Sequence, residues 1–405
     1  MTDDLSCAAS LKHPSPAGNP PDAPPGRRHF RRESSGGSGY CFAVHLAHLR
    51  LRDFRNYARL DTDFSPGFHL LLGRNAQGKT NILEAIYLLA TLRSFRGVGG
   101  APMVRHHQEG YFVGARVVAE GTHKITMFWS PKTRRLTLND EPVRRLSDYF
   151  GLLRVVVFCT EDLQLVKGPA SRRRRFLNLL LAQTHPASLS LLQRYTRAVR
   201  SRNALLKQQP LDEAALESFS RTVVELGTEI IRLRRELLPR FAPLAQAAYQ
   251  RIARNAEELQ LEYVPSVRED FAAELRRIRP RELKYRSTLL GPHRDELRLL
   301  LDRQPVSQFG SEGQKRTLAV TLKMAQAEYL THLHGVPPIL LIDDVMGELD
   351  AQRRAGLLPL LERSDQARGQ VFMTCTEENW PRELGRRLHR WEVRQGSLTP
   401  LPPAD

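Results

Sequence analysis

Residues 73–80 have the sequence Gly-Arg-Asn-Ala-Gln-Gly-Lys-Thr, which lies between an apolar run at 68–72 and a stretch at 81–89 with apolar residues at helical spacing. The spacing is that of a P-loop, in which two glycines let backbone N–H groups close around phosphate oxygens. The apolar run predicts a buried strand, and the periodic stretch predicts a helix that buries one face. Because a helix N-terminus also favours anions, the three segments together predict a nucleotide-phosphate site.

Every residue of this loop is a candidate nucleotide contact, and two of them have a defined chemistry. Lys79 would reach the β- and γ-phosphates of ATP, and the Thr80 hydroxyl would ligate Mg²⁺. The alternative is a chance glycine-rich turn, which the Lys-Thr pair and the flanking segments disfavour. The candidate ATP contacts are Gly73, Arg74, Asn75, Ala76, Gln77, Gly78, Lys79 and Thr80.

A second apolar run, at 339–342, ends in two carboxylates, Asp343 and Asp344. An aspartate at such a strand end is where P-loop ATPases hold Mg²⁺, so Asp343 is the predicted metal ligand together with Thr80. Asp344 would orient or deprotonate an attacking water, which makes Asp344, Asp343 and Lys79 the candidate catalytic residues. Paired acids also cap helices, but the apolar character of the preceding residues favours the strand.

Upstream of these acids, the segment 310–316 opens a predicted helix that runs to about Leu333. Ser311 and Gly313, with the helix N-terminal amides, form a second candidate anion site suited to a γ-phosphate. One chain rarely needs two distant phosphate cradles, whereas two chains facing each other need both. After the acids, a polar turn at 347–350 ends in Asp350, and an apolar strand at 370–374 ends in Thr374.

The bulk composition describes an ordinary globular chain with a large positive charge. The 405 residues are 41% hydrophobic and 26% charged, with a formal net charge of +17. This charge favours polyanionic partners such as DNA, although an arginine-rich proteome would produce it equally well. No apolar run approaches the roughly 20 residues that span a bilayer. The scattered cysteines lack metal-site spacing and are expected to be free thiols in a reducing cytoplasm.

The order of segments predicts a discontinuous head with a helical insertion. Residues 1–43, rich in Pro, Gly, Ser and Arg, are expected to be a disordered tail, or the product of a start site placed too early. Alternating apolar residues predict strands at 49–54, 60–64, 111–119, 123–129 and 135–138, and a β-branched run predicts another at 154–158. Residues 44–160 and 286–405 then form the head, beginning its second part with strands at 286–290 and 296–301.

Residues 161–285 are predicted to be helical. Two apolar seams, at 189–206 and 216–237, are separated by Gln209-Pro210 and indicate a short antiparallel helical hairpin. Pro239 is expected to end the second arm, so each arm would be roughly 30–40 Å long. The run from Arg172 to Arg175 opens an earlier helix. It is either a solvated face or a patch that contacts DNA or phosphate.

Taken together, these motifs resemble an ABC-type ATPase head of the SMC-like group, and most closely the RecF family of bacterial recombinational repair proteins. The similarity covers about 46–395. The matching stretches are LRDFRNY (51–57), GRNAQGKTNILEAI (73–86), SFR (94–96), FCTEDLQLVKG (158–168), 172–178, LGPHRDE (290–296), SEGQKRT (311–317) and IDDVMGELD (342–350). Three residues depart from the family pattern: Ala76 for glycine, Thr160 for proline and Glu312 for glutamine.

The resemblance implies a fold and a function. The fold would be an α/β ABC-type head, with a mixed sheet, helices and an antiparallel β subdomain. Ser311 and Gly313 would belong to the signature that contacts ATP bound by a partner subunit, Asp350 to the D-loop and Thr374 to the switch strand. The family's activity is ATP-dependent DNA binding near single-strand gaps as an ATP-sandwiched homodimer, with slow, DNA-stimulated ATP hydrolysis. Its partners are RecO and RecR, and it helps RecA to load.

Three other classes of protein share part of this pattern. A transporter nucleotide-binding subunit has the same motifs, but usually with the signature closer to the P-loop and with less positive charge. A head that partners a nuclease would need long heptad repeats, which the sequence lacks. A purely structural dimerisation module would not need Lys79, Asp343 and Asp344 together.

Overall fold

A computed structural model describes residues 44–253, 256–367, 369–376 and 388–402, so the predicted disordered tail at 1–43 lies outside the described residues. The strands, in chain order, are β1 (His45–Phe54), β2 (Tyr57–Asp63), β3 (Gly67–Leu72), β4 (Tyr111–Val118), β5 (Thr122–Trp129), β6 (Arg134–Leu138), β7 (Glu141–Pro142), β8 (Val155–Phe158), β9 (Leu259–Val264), β10 (Glu296–Leu301), β11 (Gln304–Pro305), β12 (Ile339–Asp343), β13 (Gln370–Cys375), β14 (Leu388–Arg394) and β15 (Ser397–Pro400).

The helices are α1 (Lys79–Thr91), α2 (Leu146–Tyr149), α3 (Gln164–Lys167), α4 (Ala170–Thr184), α5 (Ala187–Leu205), α6 (Glu213–Ala253), α7 (Phe271–Arg277), α8 (Arg279–Tyr285), α9 (Val306–Phe309), α10 (Glu312–His334), α11 (Val345–Glu348) and α12 (Ala351–Gln366). Within the described part of the chain, no helix combines the length and the apolar character that crossing a bilayer requires.

The central sheet brings the functional segments to one edge. Its strand order is β15-β14-β3-β13-β12-β8, and all neighbouring pairs are parallel except β14 with β15. Asp343 at the end of β12 pairs with Thr374 on β13, and Cys375 pairs with Leu72, the last residue before the P-loop. Because the carboxyl ends of parallel strands meet at the same edge, residues distant in sequence converge there.

Helix α1 is packed between two sheets. A second, antiparallel sheet has the order β2-β1-β4-β5-β6-β7, and its inner residues share one core with α1 and with one face of the central sheet. Alternation assigns the faces, since Val155 and Val157 join this core while Val156 and Phe158 point to the opposite one. The opposite core is completed by α10, α12 and the end of α6. The mixed α/β head predicted from the sequence is therefore confirmed.

The helical hairpin is present, but its second arm is longer than predicted. Tyr195 lies beside Gly227 and Arg202 bonds Ser220, so α5 and α6 run antiparallel. However, α6 continues through Pro239 to Ala253, which gives 41 residues and about 60 Å. Pro239 lies on the exposed side, where water can satisfy the carbonyl that loses its N–H partner. Burial on the other side offsets the cost of the proline.

Two predictions around the helical segment were wrong: one predicted strand is a loop, and one strand lies where helix was predicted. Residues 286–290 form a loop, because Thr288 and Leu289 donate their backbone N–H groups to the side chains of Asn203 and Glu282 instead of to a neighbouring strand. In contrast, β9 is a strand within the region predicted to be helical. It pairs with β10, and the two form a three-stranded sheet in the order β11-β10-β9. The boundaries of the insertion, 161–285, stay a prediction.

A buried ion pair fastens the hairpin to α8, and its removal should destabilise the fold. Arg202 and Glu282 are both fully buried and lie 2.6 Å apart, and Arg202 also donates to Ser220 and Thr288. We expect Arg202→Met to lower the free energy of unfolding by about 3–5 kcal/mol, because it leaves an uncompensated buried carboxylate. The thermal midpoint of unfolding measures this loss.

The matched control for this prediction is Arg232→Met, which breaks a solvent-exposed ion pair on α6 and should change the midpoint little. The double variant Arg202→Met/Glu282→Leu should recover most of the loss, since no buried charge remains. Equal loss in the double and the single variant would contradict this account.

Candidate nucleotide-binding site

The P-loop follows β3 as predicted, and its two outer glycines are required by close backbone approach. Gly73 has φ 153°, and a Cβ there would lie 2.4 Å from the Val393 carbonyl oxygen. Gly78 has φ 117°, and a Cβ there would lie 2.6 Å from Asn56 Nδ2. Helix α1 then starts with no side-chain cap. Its first N–H groups therefore suit phosphate oxygens, so the loop fits the predicted ATP.

Ala76 adopts a left-handed backbone conformation, with φ 64°. This position is where the resemblance expects glycine, and the geometry explains why, since a Cβ in this region costs roughly 1–2 kcal/mol. The loop therefore keeps the glycine-type backbone although the residue is alanine.

Residues outside the P-loop motif hold the P-loop in place, and no motif in the sequence marks them for this role. Asn56, in the turn between β1 and β2, donates from Nδ2 to the Gln77 carbonyl oxygen over 2.8 Å. The Tyr57 hydroxyl donates to the Gly78 carbonyl oxygen over 3.1 Å, and the Gln395 N–H donates to the Gln77 side chain over 2.8 Å. The β1–β2 turn and the β14–β15 turn thus support the loop from outside. The sequence shows Asn56 and Tyr57 between two predicted strands and at the end of the stretch 51–57 that matches the family, but it does not show what they contact.

The Lys79 side chain, which is predicted to bind phosphates, lies against the backbone of the P-loop. Its Nζ donates to the carbonyl oxygens of Gly73 and Arg74, over 2.5 and 3.1 Å. Burial lowers the pKa of the ammonium group, and the carboxylates of Asp344 and Asp343 act in the opposite direction. A cation held by two neutral carbonyl groups can exchange them for phosphate oxygens, which are stronger acceptors.

The predicted metal ligands are in direct contact. The Thr80 hydroxyl donates to Asp343 Oδ1 over 2.8 Å, and the Thr374 hydroxyl donates to the same oxygen over 3.0 Å. Burial raises the pKa of the Asp343 carboxyl, and these two hydrogen bonds partly counter that shift. A hydroxyl and a carboxylate converging beside the P-loop are oxygen ligands of the kind Mg²⁺ takes alongside phosphates.

Asp344 also has an unusual backbone, with φ 57° directly after β12. Its N–H donates to the Thr374 hydroxyl over 2.9 Å, while its side chain is exposed. Thr374 therefore contacts both acids, as acceptor for one and donor to the other. Thr374 thus fixes the position of the Asp343 carboxylate and of the Asp344 backbone, and so connects β12 to β13.

A buried carboxylate on α1 forms a further network beside the loop. Glu84 is fully buried and receives two hydrogen bonds from Arg55, over 2.8 and 2.7 Å, and another from the Ser94 hydroxyl. Arg96 lies 3.8 Å from the same carboxylate and donates to Asn81. The network ties α1 to the turn between β1 and β2. Both arginines fall in stretches that carried the family resemblance.

The predicted signature and D-loop residues are connected by Arg353. Ser311 caps α10, accepting from the Gln314 N–H over 3.1 Å. Arg353 donates to the Gly313 carbonyl oxygen over 2.9 Å and forms an ion pair with Asp350. Among the described residues, no hydrogen bond or ion pair joins this group to the P-loop. The structure therefore assembles two separate clusters, and no motif in the sequence marks Arg353, which connects the second.

Comparison with known proteins agrees with this geometry. The profile of the RecF/RecN/SMC N-terminal domain family matches residues 45–397. A protein from Symbiobacterium thermophilum named DNA replication and repair protein RecF is 38% identical over 375 residues, which cover 88% of this chain and 98% of that protein. One of the same name from Exiguobacterium is 35% identical, with 88% and 99% covered. The chain belongs to the RecF family.

Solved structures of the family have the same fold. One described as the recombination mediator protein RecF-ATP in the RecFOR pathway has a TM-score of 0.82 at 29% identity, covering 91% of this chain and all of that one. Its counterpart with ATPrS has a TM-score of 0.80 at 29% identity, with 89% and 99% covered. An Smc head domain from Pyrococcus furiosus, 15% identical with a TM-score of 0.53, covering 88% and 96%, shares the fold alone.

The departure of Ala76 from the RecF-family pattern leads to a first prediction for the site. We expect Ala76→Gly to relieve part of the strain at φ 64° and Ala76→Val to add to it, because a β-branched side chain is poorly tolerated there. The valine variant should have the lower thermal midpoint and the weaker affinity for a fluorescent ATP analogue. Identical behaviour of the two variants would argue against strain in the loop.

The contact between Thr374 and Asp343 leads to a second prediction, on pH. Removing the hydroxyl in Thr374→Val removes a hydrogen bond to the ionised carboxylate, so the pKa of Asp343 should rise further. ATPase activity that needs this carboxylate ionised is lost as the pH falls through that pKa. The acidic limb of the pH–rate profile should therefore move to higher pH. Thr374→Ser, which keeps the hydroxyl, should leave the limb in place, and a shift in both variants would oppose this mechanism.

Proposed function

We propose that this protein is an ATP-dependent DNA-binding protein of recombinational repair and replication-fork maintenance, with ATP hydrolysis acting as a switch. The observation that carries the proposal is the convergence of Lys79, Thr80, Asp343 and Thr374 at one edge of a parallel sheet. Such an arrangement of a P-loop lysine, a hydroxyl and a strand-end carboxylate suits Mg-ATP.

Each residue at this edge has a proposed task. The N–H groups of 73–80 and the Lys79 ammonium group bind phosphate oxygens, and Thr80 and Asp343 hold Mg²⁺. Bound Mg²⁺ would neutralise the charge that develops on the phosphates during hydrolysis. Asp344, exposed beside the loop, orients the attacking water. Burial of Asp343 and Lys79 strengthens these electrostatic contacts.

The second cluster supports the homodimer. Arg353 contacts Gly313 and Asp350, and Ser311 caps the helix that contains Gly313. Among the described residues, none of the three candidates has a hydrogen bond or ion pair to the P-loop. In a dimer related by a two-fold axis, the cluster of one copy would contact the nucleotide held by the other copy. Each ATP would then be enclosed by two chains, and loss of the γ-phosphate would remove the contact that favours the closed state.

The proposed biological role follows from family membership and from charge. Solved RecF structures are described as a recombination mediator in the RecFOR pathway. By this relationship the chain would bind duplex DNA near single-strand gaps in the cytoplasm, act with RecO and RecR, and help RecA to load. Hydrolysis would be slow and stimulated by DNA. The net charge of +17 supports a DNA partner through counterion release.

The oligomeric state tests this proposal first. Light scattering of the wild-type chain with Mg-ATP should show a dimer that is absent with ADP. Lys79→Met should remain monomeric with either nucleotide, because the loop loses its phosphate-binding cation.

A second variant separates binding from dimer closure. Ser311→Ala should keep the nucleotide affinity of the monomer but weaken the ATP-dependent dimer, since Ser311 lies in the other cluster. A wild-type chain that binds ATP yet stays monomeric under all conditions would exclude the sandwich. The protein would then be an ATPase subunit that needs a different partner.

A further inference from the structure

The outer face of the antiparallel sheet is covered by neither helix nor sheet among the described residues, and its charges are unevenly distributed. Leu49 and Leu51 on β1 point into the core, so their neighbours Arg50 and Arg52 point outward. The same alternation places Phe112 on β4 and Phe128 on β5 outward, opposite the stacked inner rings of Tyr111 and Trp129.

Strand register aligns five of the outward residues in one line across the sheet. Arg59 on β2 pairs with Arg52, and Arg52 pairs with Phe112. Phe112 pairs with Phe128, and Phe128 pairs with Arg135 on β6. We call this line the Arg–Phe row. It crosses five strands, so its length is about 19 Å, given ~4.8 Å between neighbouring strands.

The arginines of the row differ from the other basic residues on this face. Among the described residues, Arg52, Arg59 and Arg135 are exposed and form no ion pair or hydrogen bond through their side chains. Farther along the same sheet, basic residues are neutralised: Arg116 pairs with Asp63 over 2.9 Å and Lys124 with Asp140 over 2.7 Å. Positive charge without an acidic partner is therefore concentrated along the row.

The two aromatic rings of the row differ in exposure. Phe128 is 39% exposed, whereas Phe112 is half-buried. The Phe112 ring lies over Gly114, where an added Cβ would be 2.9 Å from the ring, so it lies along the sheet surface. The Arg50 guanidinium, which pairs with Asp61 over 3.6 Å, is 5.9 Å from the centroid of this ring. Rings that reach the surface beside the unpaired arginines of the row form a site where unpaired bases can stack while phosphates contact the arginines.

We propose that the Arg–Phe row binds single-stranded DNA, with bases stacked on Phe112 and Phe128 and phosphates contacting Arg52, Arg59 and Arg135. This inference rests on the proposed DNA-binding function and specifies the DNA structure recognised at this face. Duplex DNA presents phosphates to arginines but keeps its bases stacked inside, so the aromatic rings distinguish the two forms.

The position of the row also connects it to the ATP site. Arg52 and Arg59 flank the turn whose residues Asn56 and Tyr57 donate hydrogen bonds to the P-loop. A single DNA strand bound to the row would therefore contact the same β-hairpin that supports the P-loop. This provides a physical route by which DNA can affect ATP hydrolysis.

Fluorescence anisotropy with Mg-ATP, using a short labelled oligothymidine and a hairpin duplex, tests the proposal. We expect the double variant Phe112→Leu/Phe128→Leu to bind oligothymidine about tenfold more weakly, because the stacking surface is removed while apolar bulk remains. Its affinity for the duplex and its salt dependence should stay unchanged. Arg52→Gln/Arg59→Gln should reduce the slope of log K against log salt by about 0.7 for each phosphate that is no longer neutralised.

Two control variants exclude an indirect effect on the sheet. Phe128→Tyr keeps the ring and should retain oligothymidine binding. Arg116→Gln removes a charge on the same face that is already ion-paired, and it should leave the salt slope unchanged. The thermal midpoints of all variants should lie close to that of the wild type, since the substituted side chains are at the surface.

Three outcomes would overturn the inference. If the leucine variant binds oligothymidine as the wild type does while the glutamine variant loses both DNA forms, the row contacts duplex backbone only. If no variant differs from a wild type that binds DNA, the binding surface lies elsewhere and the proposed function stands. If the wild type binds neither DNA form with ATP, the proposed function fails together with this inference.

Discussion

The hydrogen bonds that converge on the Asp343 carboxylate are the constraint on which the rest of the site depends. They join three segments that are far apart in sequence: the start of α1 through Thr80, the end of β12 and the end of β13 through Thr374. A buried carboxylate is costly unless it is hydrogen-bonded, and the two hydroxyls offset part of this cost at Asp343. The parallel sheet provides this, because its register sets Asp343 beside Thr374.

The antiparallel sheet supports the P-loop on one side and carries the proposed DNA-binding row on the other. Its inner face covers α1, and the turn between β1 and β2 supports the P-loop through Asn56, Tyr57 and Arg55. Its outer face presents the Arg–Phe row. Arg52 and Arg59 of the row lie on the same hairpin as this turn, so DNA bound to the row would contact the element that supports the P-loop. The cluster around Arg353 is organised separately, which fits the proposal that it completes the nucleotide site of a second copy.

Prediction from sequence succeeded where a local pattern carries the physics. The P-loop, the strand before it and the helix after it are visible in a single continuous stretch. Prediction failed where contacts distant in sequence determine the structure. Pro239 does not end α6, because the free energy gained by burying one side of that helix exceeds the cost of the exposed proline. Likewise, residues 286–290 look like a strand, yet Asn203 and Glu282 take their backbone N–H groups.

By itself the sequence determined the class of fold, the phosphate loop and the identity of the paired acids, because glycine spacing and apolar periodicity act over a few residues. Only the tertiary structure decided that Thr374 contacts Asp343, that Glu84 is held by Arg55, that Arg353 connects Gly313 to Asp350, and that three arginines and two phenylalanines form one row. These contacts depend on strand register and helix packing, which are set by the summed burial of the whole core and cannot be read from spacing along the chain.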